Sequence, residues 1–442
     1  MGPQVDPVPS DLDLPSRADV VIIGGGIIGT SAALFLAERG VDVVLVEKGH
    51  IAGEQSSRNW GWCRQARRES REFGLIRESL KLWKTMDERV GGDTGFKTTG
   101  IFFAARDEST VTSFRDWVRN AADAGIESEM IERTAIDRLF PGDRNPAPIG
   151  LYCASDGRAE PQKAAPAIAV GARKAGAKIF TDCAARGIET AGGRVVSVVT
   201  ERGTIACTTA VVAGGAWTRR FLKDLDLTLP QLKVRSTVAR TNPVEGGPEC
   251  AIHDGVIGLR KRADGGYSVA NGLANVAPIT PDSFRFFFDF IGIFLPEWRH
   301  VSLRFGERFF AEVREWGTVP LDRPSPYEAC RVLDPAPDVR VVDAALAEVK
   351  RRFPALADAR FVQRWAGMID VMPDLVPVIS PVDSLAGLIV ATGFSGHGFG
   401  IGPGAGHLVA DLATGAKPIT DPFHFRFSRY ADGTCPKPEL GL

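Results

Sequence analysis

Three glycines near the N-terminus have the spacing of a dinucleotide-binding turn. Gly24, Gly26 and Gly29 follow an apolar run at residues 20–23 and precede a helical pattern. In such a turn the first glycine permits the tight bend, the second lets the backbone approach a pyrophosphate, and the third allows close packing of helix on strand. A second apolar run then reaches Glu47, at the spacing of a carboxylate that binds ribose hydroxyls. Strand, turn, helix, strand and acid together predict dinucleotide binding.

A second glycine-rich segment lies near the C-terminus. Residues 393–406 contain seven glycines and one histidine, His397, and a helical pattern follows from His407 to Thr414. Backbone without side chains at the positive end of a helix can lie close to a planar or anionic ligand. His397 is therefore a candidate proton relay next to that ligand. A purely structural hydrogen bond explains this histidine equally well.

The loop at residues 51–65 follows the Glu47 strand and holds small polar residues, two glycines and two tryptophans. Ligands of open α/β folds bind at the carboxyl ends of the strands, where this loop must lie. We expect Ser56 and Ser57 to hold the pyrophosphate and the chain that follows it, and Arg64 to approach the reacting ring. The alternative is a surface loop in which Trp60 and Trp62 only fill core space.

A cluster of arginines continues from this loop into a predicted helix at residues 72–88. Arg67, Arg68 and Arg71 are close enough in sequence for one or two of them to bind a substrate carboxylate with a bidentate fork. A solvated helix face explains most of them equally well.

Composition limits the class of protein. The chain has 442 residues, 44% of them apolar, and a net charge of -1, so two domains are expected and a nucleic-acid partner is not. Its seven cysteines are scattered without C-x-x-C spacing, which favours a reducing cytoplasm and gives no metal site. Residues 1–17 predict a disordered arm without a secretory signal. No apolar stretch is long enough to span a bilayer.

The order of the elements predicts two interleaved domains. Residues 18–90, 150–228 and 358–442 are expected to form a dinucleotide-binding domain. Residues 91–149 and 229–357 are expected to form a substrate domain. Within the latter, the aromatic-rich stretch 284–295 predicts a helix packed against the sheet, and contact with a membrane surface is the alternative.

These motifs resemble those of the FAD-dependent amine and amino-acid oxidoreductases, the family of D-amino-acid oxidase, glycine oxidase and monomeric sarcosine oxidase. The resemblance rests on the N-terminal G-x-G-x-x-G together with M-P-D at 372–374 and G-F-S-G-H-G-F at 393–399. It implies an α/β and α+β fold, in which a Rossmann-like FAD-binding domain is built from discontinuous segments and a mixed-sheet substrate domain covers the flavin.

The resemblance and the motifs together assign candidate site residues. Arg64 and His397 are the candidate catalytic residues, and Arg68, Arg331 and Trp365 are the candidates for binding substrate. In relatives, the backbone at the positions of residues 397–400 donates hydrogen bonds to the flavin pyrimidine oxygen and stabilises the negative charge of the reduced flavin. The residues expected to contact FAD are Gly24, Gly26, Ile27, Ile28, Gly29, Glu47, Lys48, Ser56, Ser57, Asn59, Gly61, Trp62, Cys63, Ala184, Ala185, Gly214, Trp217, Gly367, Gly396, His397, Gly398, Phe399 and Gly400.

Two positions depart from the sarcosine oxidase pattern. Gly367 stands where those relatives have the cysteine that joins the flavin, so we expect non-covalent FAD. Gly400 stands where they have a lysine that holds the substrate carboxylate. A carboxylate must then be recognised by another group, such as Arg64, Arg68 or Arg331, or the substrate is an amine without one.

The implied reaction is oxidation of a C–N bond in an amino acid or secondary amine, with hydride transfer to flavin N5 and hydrolysis of the imine product. The final oxidant would be oxygen or another electron acceptor. One alternative is oxidation of a C–O bond, as in the glycerol-3-phosphate dehydrogenase relatives of the same fold. A second alternative is a binding subunit in which the nucleotide is structural.

Overall fold

The computed structural model describes residues 2–272, 275–297 and 301–439. The strands of this part are β1 Val20–Ile23, β2 Val43–Val46, β3 Trp62–Cys63, β4 Lys97–Thr98, β5 Ile101–Ala105, β6 Glu129–Glu132, β7 Ile149–Cys153, β8 Gly157–Arg158, β9 Lys178–Phe180, β10 Ala185–Ala191, β11 Arg194–Thr200, β12 Gly203–Ala206, β13 Thr209–Val212, β14 Leu232–Thr241, β15 Ala251–His253, β16 Ile257–Lys261, β17 Tyr267–Asn271, β18 Asn275–Pro278, β19 Val301–Arg304, β20 Phe361–Val371, β21 Val378–Pro381 and β22 Leu388–Thr392. The helices are α1 Ile27–Glu38, α2 Gln55–Arg58, α3 Phe73–Val90, α4 Glu108–Asp123, α5 Arg133–Leu139, α6 Pro161–Lys174, α7 Thr218–Lys223, α8 Pro281–Arg285, α9 Phe287–Glu297, α10 Glu307–Arg314, α11 Pro326–Ala329, α12 Val339–Arg352 and α13 Gly398–Thr414.

A six-stranded sheet carries the N-terminal glycine motif. Its order is β21-β22-β13-β1-β2-β9, parallel except for the edge strand β21. The apolar run of β1 is buried along its whole length and pairs with β2 on one side and β13 on the other. A strand buried on both faces must be apolar at every position, and for this reason the continuous run at residues 20–23 predicted it correctly.

The two faces of this sheet are covered differently. One face packs against α1, α3, α6 and α13 in a large apolar core. A second core on the other face includes residues of the antiparallel meander β10-β11-β12. The mixed α/β architecture expected from the sequence is confirmed.

A ten-stranded mixed sheet lies in the other part of the molecule. Its path is β19-β18-β14-β17-β16-β15-β5-β7-β6, and β20 pairs with β14 along almost its full length. Two strands of this sheet, β7 and β20, fall in segments that the sequence pattern placed with the dinucleotide-binding domain. Because β7 pairs with β5 and β20 pairs with β14, we propose that both strands belong to the substrate domain. The other domain boundaries stay predictions.

The glycine-rich segment near the C-terminus is helical, whereas the sequence pattern predicted a loop before a helix at residue 407. Helix α13 begins at Gly398. Its glycines let two helices touch through their backbones: a Cβ on Gly406 would lie 2.3 Å from Ser31 Cβ, and one on Gly402 would lie 2.7 Å from Ile27 Cγ1. Close helix packing therefore offsets the low helix propensity of glycine.

The aromatic-rich stretch forms α8 and α9, as predicted. Phe286, Phe290 and Ile293 are buried against β14 and the end of β20. Phe284 and Phe288 on the other side are exposed. No helix among the described residues is long and apolar enough to cross a bilayer.

The N-terminal residues contact the domain surface and do not form the free arm that the sequence predicted. The Asp11 carboxylate accepts hydrogen bonds from the backbone of Ile179 and the guanidinium of Arg173. The backbone of Arg17 forms an isolated parallel β-bridge with Ala206 at the edge of the meander. Paired polar groups and backbone hydrogen bonds therefore fix this segment.

Candidate functional site

A cavity of about 850 Å³ lies between the carboxyl edge of the six-stranded sheet and the ten-stranded sheet. Its wall includes the last residues of β1, β2 and β13, the starts of α1 and α13, and the inner side of β20. The carboxyl edge of a parallel sheet is where open α/β folds bind ligands. The topology therefore brings the two glycine-rich segments to one cavity.

The turn after β1 can only be made by glycine. Gly24 has a φ of +116°, and a Cβ there would lie 2.4 Å from the Ala213 carbonyl oxygen. Gly26 is the N-cap of α1, and the Ser56 hydroxyl accepts a 2.8 Å hydrogen bond from the Ile27 amide. The N-terminus of α1, with no acidic residue in its first turn, favours an anionic group in the cavity.

Glu47 closes this end of the cavity. Its carboxylate accepts hydrogen bonds from the amides of Gly25 at 2.7 Å and Gly49 at 2.8 Å. Burial raises the pKa of Glu47, and the charge of Lys48 and these two amides oppose that rise. Both features fit a carboxylate held ready for ribose hydroxyls.

A segment of the substrate part lies against the same end. Lys48 donates to Glu54 Oε1 at 2.6 Å and to the carbonyls of Cys330 and Arg331. Trp217 donates to the same glutamate. Arg331 instead forms a bidentate pair with Glu201 and does not line the cavity. The structure therefore does not support the expected contact of Arg331 with substrate.

The turn into α13 is fixed by the end of β20. Asp370 accepts a 2.8 Å hydrogen bond from the Gly393 amide, and the Ser395 amide donates to the Asp370 carbonyl at 2.9 Å. Burial raises the pKa of the Asp370 carboxyl to about 6. These bonds direct His397, the N-cap of α13, to the cavity wall.

Arg64 and Arg68 line the cavity next to the start of α13. Asp156, which is fully buried, accepts hydrogen bonds from the amides of Gln65 and Ala66 and so fixes the loop that carries Arg64. Burial and the neighbouring charge of Arg68 hold the pKa of Arg64 well below its usual range. No carboxylate among the described residues forms an ion pair with Arg64, so an anionic ligand would complete its coordination.

Arg68 uses its donors to hold the backbone. Its Nε donates to the Arg64 carbonyl at 3.1 Å and its Nη2 donates to the His397 carbonyl at 3.2 Å. The guanidinium also lies beside Gly400, where a Cβ would come within 3.3 Å of Nη2 and 3.0 Å of the Trp62 carbonyl oxygen. Arg68 therefore packs against the first turn of α13 at Gly400.

An aromatic wall lies next to Arg64. The Trp60 ring stacks on His253 with 5.9 Å between centroids, Trp62 meets Phe103 edge to face, and the Arg64 guanidinium lies 5.4 Å from the Phe103 ring. Burial and the charge of Arg64 lower the pKa of His253 to about 4. The wall is therefore apolar and neutral beside a cationic group, a combination that suits the body of an organic acid or amino acid.

Most of the predicted site residues come together in this cavity. Trp365 does not: it is 1% exposed, and its indole donates to the Arg58 carbonyl, which ties the 51–65 loop to β20. The predicted residues that line the wall are Gly24, Gly26, Ile27, Ile28, Glu47, Lys48, Ser56, Asn59, Trp62, Arg64, Arg68, Ala185, Gly214, Trp217, Gly367, Gly396, His397, Gly398, Phe399 and Gly400. Those that stand behind it are Gly29, Ser57, Gly61, Cys63, Ala184, Arg331 and Trp365.

The residues behind the wall have structural contacts instead. The Ser57 hydroxyl donates to the Glu54 carbonyl. The Gly61 carbonyl accepts from the Ala159 amide, and the Ala184 amide donates to Glu201. A Cβ on Gly29 would lie 2.0 Å from the Gly24 carbonyl oxygen, so this glycine is needed for helix packing.

Comparison with known proteins identifies the family. Residues 19–412 match the DAO family, described as FAD dependent oxidoreductase. The chain belongs to this family. L-Amino acid deaminase from Proteus myxofaciens, solved with anthranilate, superposes with a TM-score of 0.93 at 33% identity over 97% of this chain and 96% of that one. L-Amino acid deaminase from Proteus vulgaris gives a TM-score of 0.91 at 32% identity over 96% of this chain and 100% of that one.

Curated sequences of the family are also similar. Dimethylglycine dehydrogenase of Mus musculus is 25% identical over 95% of this chain, but the match covers 45% of that protein. Sarcosine oxidase subunit beta of Rhodobacter capsulatus is 23% identical over 94% of this chain and 89% of its own length. The chain thus spans about half the length of the first of these relatives.

The cavity fits the FAD on which the DAO family depends. The positive end of α1 beside the Gly24–Gly26 turn suits a pyrophosphate, Glu47 suits a ribose, and the start of α13 offers amides to a second polar group. The Glu47 carboxylate accepts hydrogen bonds and the amides at the helix starts donate them, and this combination of acceptor and donors suits a dinucleotide.

Several residues of the wall were missed by sequence reasoning. His253 and Phe103 come from β15 and β5 of the ten-stranded sheet, and Asp370 comes from β20. Each is a single residue in an ordinary strand pattern. Only the long-range pairing of strands brings them to the cavity, and no local signal could have found them.

Proposed function

We propose that this protein oxidises the C–N bond of an amino acid or amine, with FAD as the hydride acceptor. The observation that carries this proposal is that both glycine-rich helix starts open into one cavity whose wall holds Arg64 beside aromatic rings. When bound, FAD supplies the two-electron chemistry. The family members named above act on amino acids and methylated amines by their names, which supports the same class of reaction here.

The residues of this chain would bind and orient both molecules. The amides at the start of α1, the Ser56 hydroxyl and Glu47 would hold the nucleotide end of FAD. The amides at the start of α13 would stabilise negative charge on the flavin ring as it is reduced. Gly367 has no side chain on the cavity wall, which supports non-covalent binding.

The substrate would be held by its carboxylate and by the aromatic wall. Arg64 is the cavity cation that lacks a carboxylate partner among the described residues, and Asp156 fixes its loop. A bound carboxylate would gain a charge-assisted hydrogen bond from this guanidinium. Placing the substrate in a fixed orientation over the ring supplies much of the rate enhancement in such a reaction. The imine would then leave the site and hydrolyse in water.

Oxidation of a C–O bond in a polyol phosphate is the alternative within the same fold. A phosphate dianion would need several free cations, and Arg68 already donates to two backbone carbonyls. We therefore favour the amine or amino acid.

The experiment is anaerobic reduction of the purified protein with a panel of substrates. Bleaching of the visible flavin spectrum by amino acids or amines, and not by 2-hydroxy acids or polyol phosphates, is expected. Reoxidation in air would then identify oxygen as the acceptor, and slow reoxidation that a quinone accelerates would identify a separate electron acceptor. A colourless protein that takes up no FAD would contradict the proposal.

Contact with a membrane surface through residues 284–295 stays the alternative to a purely structural helix, and a cytoplasmic location stays a prediction. Phe284 and Phe288 are 69% and 83% exposed, which supports a surface contact. All seven cysteines are free thiols, which agrees with a reducing compartment. Flotation with phosphatidylcholine vesicles, compared between the wild type and a Phe284→Ser/Phe288→Ser variant, tests the first prediction.

A further inference from the structure

Glu72 is a buried carboxylate that the fold itself does not explain. It precedes α3, is 0% exposed, and neither of its carboxylate oxygens forms a hydrogen bond within the described residues. Its neighbours are Arg68 Nη1 at 3.8 Å and His397 Nδ1 at 3.4 Å. A buried carboxylate is costly unless it is paired, so its position beside two residues of the cavity wall calls for a functional reason.

The imidazole of His397 lies between this carboxylate and the cavity. Its Nδ1 is fully buried and faces Glu72, while 17% of the side chain is exposed and the residue lines the cavity. Nδ1 is one of the fully buried nitrogens without a hydrogen-bond partner and Nε2 is not, so we assign the exposed part of the ring to the side that carries Nε2.

The protonation state of the ring follows from its surroundings. Burial and the charge of Arg68 lower the pKa of His397 to about 4, against the opposing effect of Glu72; Arg64 is the remaining charged group that faces it. The imidazole is therefore neutral at pH 7 and carries one N–H. Because an ionised carboxylate only accepts hydrogen bonds, this N–H belongs on Nδ1, and Nε2 keeps a lone pair.

We propose that Glu72 is a positioning residue that holds His397 as the Nδ1–H tautomer, so that Nε2 accepts a hydrogen bond from an N–H group of the bound substrate. The inference rests on the proposed function for the nature of that N–H group. Two neighbouring residues then recognise different groups of the substrate. Arg64 donates a hydrogen bond to the substrate carboxylate, and His397 accepts a hydrogen bond from the substrate nitrogen. Arg68 links the two, since it donates to the backbone carbonyls of both.

The tautomer is measured by NMR on the FAD-bound protein labelled with 15N histidine. The chain has six histidines, and the signal of His397 is assigned by its loss in His397→Asn. At pH 7 we expect a protonated Nδ1 and an unprotonated Nε2 in the wild type. In Glu72→Gln the two tautomers should become mixed, because the amide can either accept or donate. A wild-type ring protonated at Nε2 would overturn the proposal without any need for a folded variant.

A second histidine–carboxylate pair on the same helix provides the control. His407 Nδ1 lies 3.1 Å from Asp411 Oδ2, and neither residue lines the cavity. Asp411→Asn should change the signals of His407 and leave those of His397 unchanged. A change at His397 in this variant would show that the tautomer responds to general loosening of α13, which contradicts the proposal.

Ligand binding tests the role of Nε2. Glu72→Gln should raise the Kd of an amino acid about tenfold, the effect of losing about 1.4 kcal/mol. The Kd of the carboxylic acid with the same side chain but no amino group should not change. Both values come from the perturbation of the flavin spectrum on binding. Equal effects on the two ligands would refute the role of His397, whereas a protein that binds both but oxidises no amine would refute the proposed function.

Discussion

Replacement of Gly24 by alanine tests the nucleotide-binding turn at its tightest point. The added Cβ would lie 2.4 Å from the Ala213 carbonyl oxygen and 2.9 Å from its carbon. This carbonyl cannot move away easily, because the Ala213 amide donates to the Ile23 carbonyl at 2.9 Å and continues the pairing of β1 with β13. The variant therefore suffers both a strained φ of +116° and a steric clash with backbone.

The chain offers a matched control for the strain alone. Gly176 has a φ of +112°, but no atom lies within 4 Å of the Cβ that alanine would add there. Positive φ costs a non-glycine residue about 1–2 kcal/mol, and we expect this loss of stability in Gly176→Ala. Gly24→Ala should lose about 1–3 kcal/mol more from overpacking.

The assay combines urea unfolding with the amount of FAD retained per chain after gel filtration. Gly176→Ala should retain FAD like the wild type. Gly24→Ala should bind FAD at least about tenfold more weakly, since displacement of the turn by a few tenths of an ångström moves the amides that face the pyrophosphate. Equal stability and equal FAD content in the two variants would refute this account of the turn.

Three further predictions concern the substrate end and the helix that carries it. Arg64→Met should lower kcat/KM about 10- to 100-fold for a substrate with a carboxylate, the effect of a charged hydrogen bond of about 1.5–3 kcal/mol, and should leave the corresponding amine without a carboxylate unaffected in steady-state kinetics. Gly406→Ala should lower the free energy of unfolding by about 1–3 kcal/mol, because the added Cβ overpacks the contact with α1. Gly292→Ala has no atom within 4 Å of its added Cβ and should raise the free energy of unfolding by about 0.5–1 kcal/mol. Urea unfolding measures both changes. Burial raises the pKa of Asp156 from 3.8 to about 6, so the folded state binds the proton of this carboxyl more tightly than the unfolded state does. The contribution of Asp156 to the free energy of unfolding should therefore fall by about 3 kcal/mol as the pH rises from about 4 to about 6. Asp156→Asn should remove that part of the pH dependence. If the difference in unfolding free energy between the wild type and Asp156→Asn is the same at pH 4 and at pH 7, the raised pKa of Asp156 is contradicted.

The part of the fold that could be predicted from sequence is governed by local rules. The runs that form β1 and β2 are apolar at every position because both faces of the sheet are covered. Gly24 and Gly29 follow from backbone geometry that no other residue permits. The turn, its helix and Glu47 were therefore all found from about thirty residues of sequence.

The remaining features depend on contacts between distant segments. Helix α13 looks like a loop in isolation, and its glycines are explained by close packing against α1, α3 and β3. Glu72 and His397 are separated by more than three hundred residues, and nothing in either local sequence indicates that they meet. Trp365 shares the face of β20 that carries Gly367, but its indole donates to the Arg58 carbonyl and the residue is buried under the 51–65 loop, outside the cavity wall.

The measurement that most directly tests the central claim is the visible spectrum of the purified protein during anaerobic titration. We expect the protein to bind FAD, and we expect amino acids or amines to bleach the flavin spectrum while 2-hydroxy acids and polyol phosphates leave the flavin oxidised. Oxidation of a C–N bond by bound FAD would be contradicted if the protein held no flavin after incubation with FAD. It would also be contradicted if only 2-hydroxy acids or polyol phosphates reduced the flavin.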